Sequence, residues 1–146
     1  MLKGNRDFIE AHIREIRVSP ALLAEAIDTV SFAANDETSY TLFTGCFILE
    51  KPAFMFGIVN SATDRGQLMI THQCKPESFL AGFATMVRRV VPELGVNEQT
   101  ELTIHFARTF GRIVRDCYSK TDGLPVPPQA ERFVDMADAD YIKGFY

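Results

Sequence analysis

The chain has 146 residues, of which 47% are hydrophobic and 23% charged, and its formal net charge is -4. A chain of this length can bury a core without the help of a disulfide or a metal, so we expect one globular domain over residues 1–146. The negative charge argues against a nucleic-acid protein, because neutralising phosphates needs a basic surface.

No segment of the sequence predicts export or membrane insertion. Charged residues recur from Lys3 to Arg17, and no apolar run reaches the length of a signal peptide or a membrane span. The three cysteines are an odd number, which favours reduced thiols over a disulfide framework. We therefore expect a cytoplasmic protein without a membrane partner.

Two helices are predicted before the first strand. Residues 6–17 place four apolar side chains at helical spacing. Ser19 and Pro20 then form a helix start signal, with Ser as the N-cap and Pro at the first helical position. Apolar residues continue at helical spacing from Leu22 to Val30, so the second helix is predicted to end near Ala34.

Three strands are predicted to follow, over Tyr40–Leu49, Ala53–Asn60 and Gln67–Cys74. Their short connections predict an antiparallel meander. The first two strands are apolar on both faces. This predicts a sheet that is covered on both sides, by helices on one and by helices or a partner on the other.

Two to three C-terminal helices are predicted to pack on the sheet. Pro76 begins one of them, and residues 97–120 carry four turns of apolar stripe in the next. A Pro-rich connector over residues 121–129 leads to a short helix from Ala130 to Tyr146. Because strands and helices are segregated along the chain, the predicted fold class is α+β.

A basic surface is the first candidate site. Arg108, Arg112 and Arg115 share one face of the helix over 97–120, and Arg88 and Arg89 would join them if the two helices form a hairpin. Three interpretations remain open: a partner-binding surface, a docking site for the acidic C-terminal segment, and a solvated helix face. A binding surface of this kind would suit an acidic protein.

A ligand site over the sheet is the second candidate. His72 and Cys74 lie two apart in the predicted third strand and would share a face. Such a pair can act as base and nucleophile, or simply complete the core. Gly45 and Gly57 fall inside strands, where glycine either opens a cavity or marks close packing.

Motifs for catalysis are absent from the sequence. It contains no Gly-x-Ser-x-Gly element, no phosphate-binding loop and no dinucleotide fingerprint. We expect no cofactor and no metal site, and the sequence favours a non-catalytic protein without deciding the question. The predicted function is that of a small acidic cytosolic protein that binds another protein, as immunity proteins, inhibitors and chaperone-like adaptors do.

Two alternatives are kept beside this function. The first is a small-molecule-binding domain or enzyme with its site near His72 and Cys74. The second concerns assembly, because a sheet that is apolar on both faces would also suit a homodimer. Binding of nucleic acid through the arginines is not expected.

Overall fold

The structure, a computed structural model, describes residues 27–48 and 51–146. It has an α+β fold, which confirms the predicted class. Within these described ranges, four strands come first and four helices follow. The elements are β1 (Ile27–Ala33), β2 (Ser39–Ile48), β3 (Pro52–Asn60), β4 (Gly66–Thr71), α1 (Pro76–Val90), α2 (Val96–Ser119), α3 (Pro128–Asp135) and α4 (Ala139–Lys143).

The four strands form one antiparallel sheet in chain order, β1-β2-β3-β4. The turn between β3 and β4 is closed by Asn60, whose Oδ1 accepts hydrogen bonds from the N–H groups of Ala62 and Thr63 at 2.9 and 3.2 Å. Asp64 in this turn is left-handed, with φ of 57°, a conformation that Asp tolerates. Given this strand order, β1 and β4 are the edges of the sheet formed by the described residues.

The prediction of a helix that continues to Ala34 is wrong from Ile27 onward. Residues 27–33 pair with β2, for example Val30 with Leu42, so the sheet has four strands among the described residues instead of the predicted three. Ile27 and Val30 fit a helical spacing, but β-branched residues also prefer strands, and pairing with β2 stabilises the strand. The helix predicted over residues 6–17, and the start of the second one, lie outside the described residues.

One face of the sheet packs on the helices through phenylalanines. Phe83 of α1 and Phe106 of α2 stack with ring centroids 4.0 Å apart, and both rings contact Phe56 of β3. Burying such a ring stabilises a fold by about 1.5–3 kcal/mol. The rings in this cluster are Phe54, Phe56, Phe79, Phe83, Phe106, Phe110 and Phe133.

The opposite face of the sheet carries a second apolar cluster. Strand alternation places its members on the other side from the helix-facing residues. Its buried members are Phe43, Phe47, Ala53, Met55 and Val59. Strands β2 and β3 are therefore buried on both faces, as their apolar sequences predict.

After α2, the chain folds back as two short helices. Gly111 in α2 allows α3 to come close, since a Cβ there would lie 2.7 Å from the carbonyl oxygen of Ala130. Phe133 of α3 is fully buried in the phenylalanine cluster. Contacts of Phe133 with Phe79 and Phe110 therefore hold α3 against α1 and α2.

The prediction of one helix from Ala130 to Tyr146 is wrong, because the segment forms two short helices. The chain leaves the helix after Asp135, and Asp138 caps α4 by accepting a hydrogen bond from the N–H of Tyr141 at 3.0 Å. Ile142 is buried, whereas Tyr141 is 43% exposed.

None of the helices in the described ranges has the length and apolar character needed to cross a bilayer.

Candidate functional site

One of the five arginines of the predicted basic surface, Arg88, contacts the C-terminal residues of the chain. Arg88 donates a hydrogen bond to the carbonyl oxygen of Phe145, and its guanidinium lies 5.4 Å from the ring centroid of Tyr146. The hydroxyl groups of Tyr146 and Thr103 are 2.6 Å apart. Arg88 thus holds the C-terminal residues against α1 and α2.

Arg108, Arg112 and Arg115 lie on the exposed side of α2, as their spacing predicts. Arg115 is 3.9 Å from Glu131, but both side chains are about half exposed, so this ion pair is worth only about 0–1 kcal/mol. Neither Arg108 nor Arg112 forms an ion pair in the part of the chain that the structure describes. The acidic C-terminal segment therefore contacts this surface at a single ion pair among those residues.

The four residues of the predicted ligand site are not brought together. Strand alternation places Gly45 and Gly57 on the face of the second apolar cluster, whereas Cys74 packs on the phenylalanine cluster. A Cβ at Gly57 would lie 2.8 Å from the carbonyl oxygen of Gln67. Gly57 therefore allows β3 and β4 to pack closely, which is the second of the two roles considered for it.

His72 and Cys74 lie in the loop after β4, so the prediction that they share a strand face is wrong. The strand ends at Thr71, whose hydroxyl accepts a hydrogen bond from the N–H of Gln73 at 3.1 Å. This local bond competes with strand pairing and ends the strand. Nδ1 of His72 donates to the carbonyl oxygen of Pro52 at 3.0 Å.

The cavity beside His72 and Cys74 is small. Its volume is about 180 Å³, and Tyr118 and Gln129 also line it. Sites for small organic ligands span roughly 300–1,000 Å³. Burial raises the pKa of Cys74 to about 12, so its thiol stays protonated at neutral pH and is a poor nucleophile. The geometry here favours a packed loop over a catalytic site.

A larger groove lies between the edge strand β4 and helix α1. Its volume of about 460 Å³ falls within the range of ligand-binding sites. Both the sheet and α1 contribute side chains to it. The lining residues include Phe56, Gln67, Met69, Gly82, Met86 and Arg89.

Gly82 lies in the wall of this groove, and the packing around it does not require a glycine. A Cβ there would lie 3.6 Å from the ring of Phe56 and 4.0 Å from the sulfur of Met69, which are ordinary contacts. Glycine inside a helix is less stable than alanine by about 1 kcal/mol. The missing side chain thus lowers stability and keeps the groove open.

Arg89 supplies the charge of the groove. It lies two helical turns beyond Gly82 on α1, is exposed, and forms no ion pair within residues 27–48 and 51–146. The other lining side chains are uncharged. An anionic group in the groove would therefore meet one guanidinium that can form two parallel hydrogen bonds with a carboxylate.

The groove runs beside a free edge of the sheet. β4 pairs with β3 on one side and with no other strand of the described sheet. Natural proteins protect edge strands with charges, prolines or bulges, yet the segment Gly66–Thr71 contains no charged residue and no proline. Two methionines line the groove, and their flexible side chains adapt to varied partners.

The sequence alone identifies only Arg89 among the residues of this groove. Gly82, Thr85 and Arg89 occur at helical spacing beside the apolar stripe of α1, which is a signal that one side of this helix is not core. Their neighbours on β4 cannot be identified from that spacing, because it is the packing of α1 on the sheet that brings them together.

Comparisons with models of protein families, with curated proteins and with solved structures found no match to this chain. The geometry of the groove is therefore the basis on which we assign a function.

Proposed function

We propose that the protein binds an extended segment of a partner protein along the outer edge of β4, with an acidic group of that segment at Arg89. The observation that carries this proposal is the groove between helix α1 and β4, an uncharged strand at the edge of the sheet that the described residues form. The predicted class of function, non-catalytic protein binding, is kept. The proposed binding surface is now the edge of the sheet, instead of the exposed face of α2 that the sequence predicts.

Strand addition suits this edge for a physical reason. An edge strand carries a row of backbone N–H and C=O groups that face away from its sheet, and an extended peptide can pair with them. Backbone hydrogen bonds would supply affinity, while the groove would select alternate side chains of the peptide. The side chains of Phe56, Met69 and Met86 make the groove partly apolar, which favours an apolar residue beside the acidic one.

The charge of Arg89 is expected to determine the orientation of the bound segment, and to contribute less to the binding affinity. A single exposed cation contributes modestly to binding, but it disfavours a segment bound in the wrong register. Arg89 is suited to this role because it is the charged residue that lines the groove. We also propose a cytoplasmic setting, which the three free cysteines support.

Selection of short displayed peptides on the whole chain tests the proposal. We expect enrichment of peptides that pair an apolar residue with an acidic one, and fluorescence anisotropy then measures the affinity of one enriched peptide. Arg89→Glu should weaken this peptide at least tenfold, about 1.4 kcal/mol, because attraction becomes repulsion.

Arg112→Glu is the matched control, because it makes the same charge change on the exposed face of α2. It should leave the affinity within about twofold. Loss of binding in Arg112→Glu but not in Arg89→Glu would instead assign the function to α2. A stable homodimer that the peptide does not displace would identify a second copy of the chain as the occupant of β4.

A further inference from the structure

The three cysteines are distant in sequence and close in the fold. Cys46 is fully buried on the helix-facing side of β2, Cys117 lies in the last turn of α2, and Cys74 lies in the loop before α1. Sγ of Cys117 donates a hydrogen bond to the carbonyl oxygen of Cys46 at 3.0 Å, across 71 positions of the chain. Each of these two thiols is also the largest influence on the pKa of the other.

This contact makes the two thiols chemically unequal. The hydrogen bond from Cys46 lowers the pKa of Cys117, burial opposes that effect, and the ammonium group of Lys120 adds to it. The same hydrogen bond, together with burial, raises the pKa of Cys46. When the pair loses a proton, the thiolate therefore lies on Cys117, and the thiolate is the nucleophilic form of cysteine.

A cavity of about 220 Å³ gives small molecules access to the pair. Both cysteines line it, together with Asp28, Asp116 and Lys120. A water molecule takes about 30 Å³ in the liquid, so a molecule with two oxygen atoms fits easily. The cavity shares no lining residue with the groove at β4.

We propose that Cys46 and Cys117 form a reversible disulfide on reaction with hydrogen peroxide, with Cys117 as the attacking thiolate and Cys46 as the resolving thiol. First, the sulfur of Cys117 bonds to one peroxide oxygen, the O–O bond breaks, and the departing hydroxide takes up a proton to become water. Next, the sulfur of Cys46 attacks the sulfenic sulfur, the S–S bond forms and the S–O bond breaks. The second oxygen leaves as water with the Cys46 proton, and the two thiols have passed two electrons to the peroxide.

Cys74 stays outside this reaction. It lines a different cavity, and not the one that reaches Cys46 and Cys117. A shared metal does not explain the cluster either, since the described ranges contain no group of three or more His, Cys, Asp or Glu residues arranged to hold one. The Cys46–Cys117 bond would cross-link the sheet to α2 and stabilise the fold by restricting the unfolded chain.

Peptide mapping of the peroxide-treated chain tests the proposal. The protein is exposed to a small excess of hydrogen peroxide, remaining thiols are alkylated, and the digest is analysed by mass spectrometry. We expect one cross-linked peptide that joins Cys46 to Cys117, its loss on treatment with dithiothreitol, and a melting temperature raised by about 10 °C in the oxidised form. A thiol pair that remains fully alkylatable at this dose would overturn the proposal.

Variants separate the roles of the cysteines. Cys74→Ser is the control and should form the disulfide as the wild type does. Cys46→Ala should abolish the cross-link, because it removes the resolving thiol. A disulfide that contains Cys74, or sulfinic acid on Cys117 of the wild type without any disulfide, would contradict the assignment. The wild-type mapping remains decisive if a variant does not fold.

Discussion

Replacement of Phe106 by alanine is expected to lower the free energy of unfolding by about 4 kcal/mol. The ring is fully buried and stacks on Phe83 at a centroid distance of 4.0 Å, and it also contacts Phe56 and Phe110. Its removal takes away these contacts and leaves a cavity that rigid aromatic neighbours fill poorly. Urea denaturation of the wild type and the variant measures the difference.

Tyr141→Ala is the matched control for this aromatic deletion. Tyr141 is 43% exposed and contacts Phe145 edge-on, so its loss should change the free energy of unfolding by about 1 kcal/mol or less. Equal effects of the two substitutions would mean that the stacked rings do not form the centre of the core. Phe106 also supports the groove indirectly, because Phe56 both contacts Phe106 and lines the groove.

Replacement of Gly82 by leucine is expected to weaken peptide binding about a hundredfold, or roughly 2.7 kcal/mol, without loss of stability. The new side chain would occupy the groove beside Phe56 and Met69, where the wild-type chain leaves space. Leucine is a better helix former than glycine, so the free energy of unfolding should stay equal or rise by up to about 1 kcal/mol. Affinity is measured by fluorescence anisotropy with the selected peptide, and stability by urea denaturation.

Ser78→Leu serves as the control, since it places the same side chain at an exposed position of α1 outside the groove. It should leave the affinity unchanged. A Gly82→Leu variant that is as stable as the wild type and binds the peptide equally well would show that the peptide lies elsewhere. A destabilised variant would show instead that Gly82 is needed for packing.

The elements that could be predicted are those whose own pattern is unambiguous. α1 and α2 follow from a long apolar stripe with Pro76 at one start, and β2 and β3 from their apolar and β-branched runs. β1 could not be distinguished from helix because its apolar residues fit both periods, and pairing with β2 decides the outcome. The break before α4 could have been predicted from the sequence, because Asp138 is a good N-cap residue. The prediction of one continuous helix did not take this signal into account.

The candidate sites were less predictable than the fold, because they depend on contacts between distant segments. Arg88 and Arg89 are adjacent in sequence, yet one holds the C-terminal residues and the other lines the groove. Cys46 and Cys117 meet across 71 positions only when α2 packs on β2. Spacing within one helix or strand carries no information about either arrangement.

Amide hydrogen exchange of the whole chain, with and without the selected peptide, tests strand addition most directly. If the peptide pairs with the edge of the sheet, exchange should slow at alternate backbone N–H groups of Gly66–Thr71, the ones that face away from β3. Protection along α2 around Arg108 and Arg112, with none on β4, would contradict the account and return the binding surface to the exposed helix face.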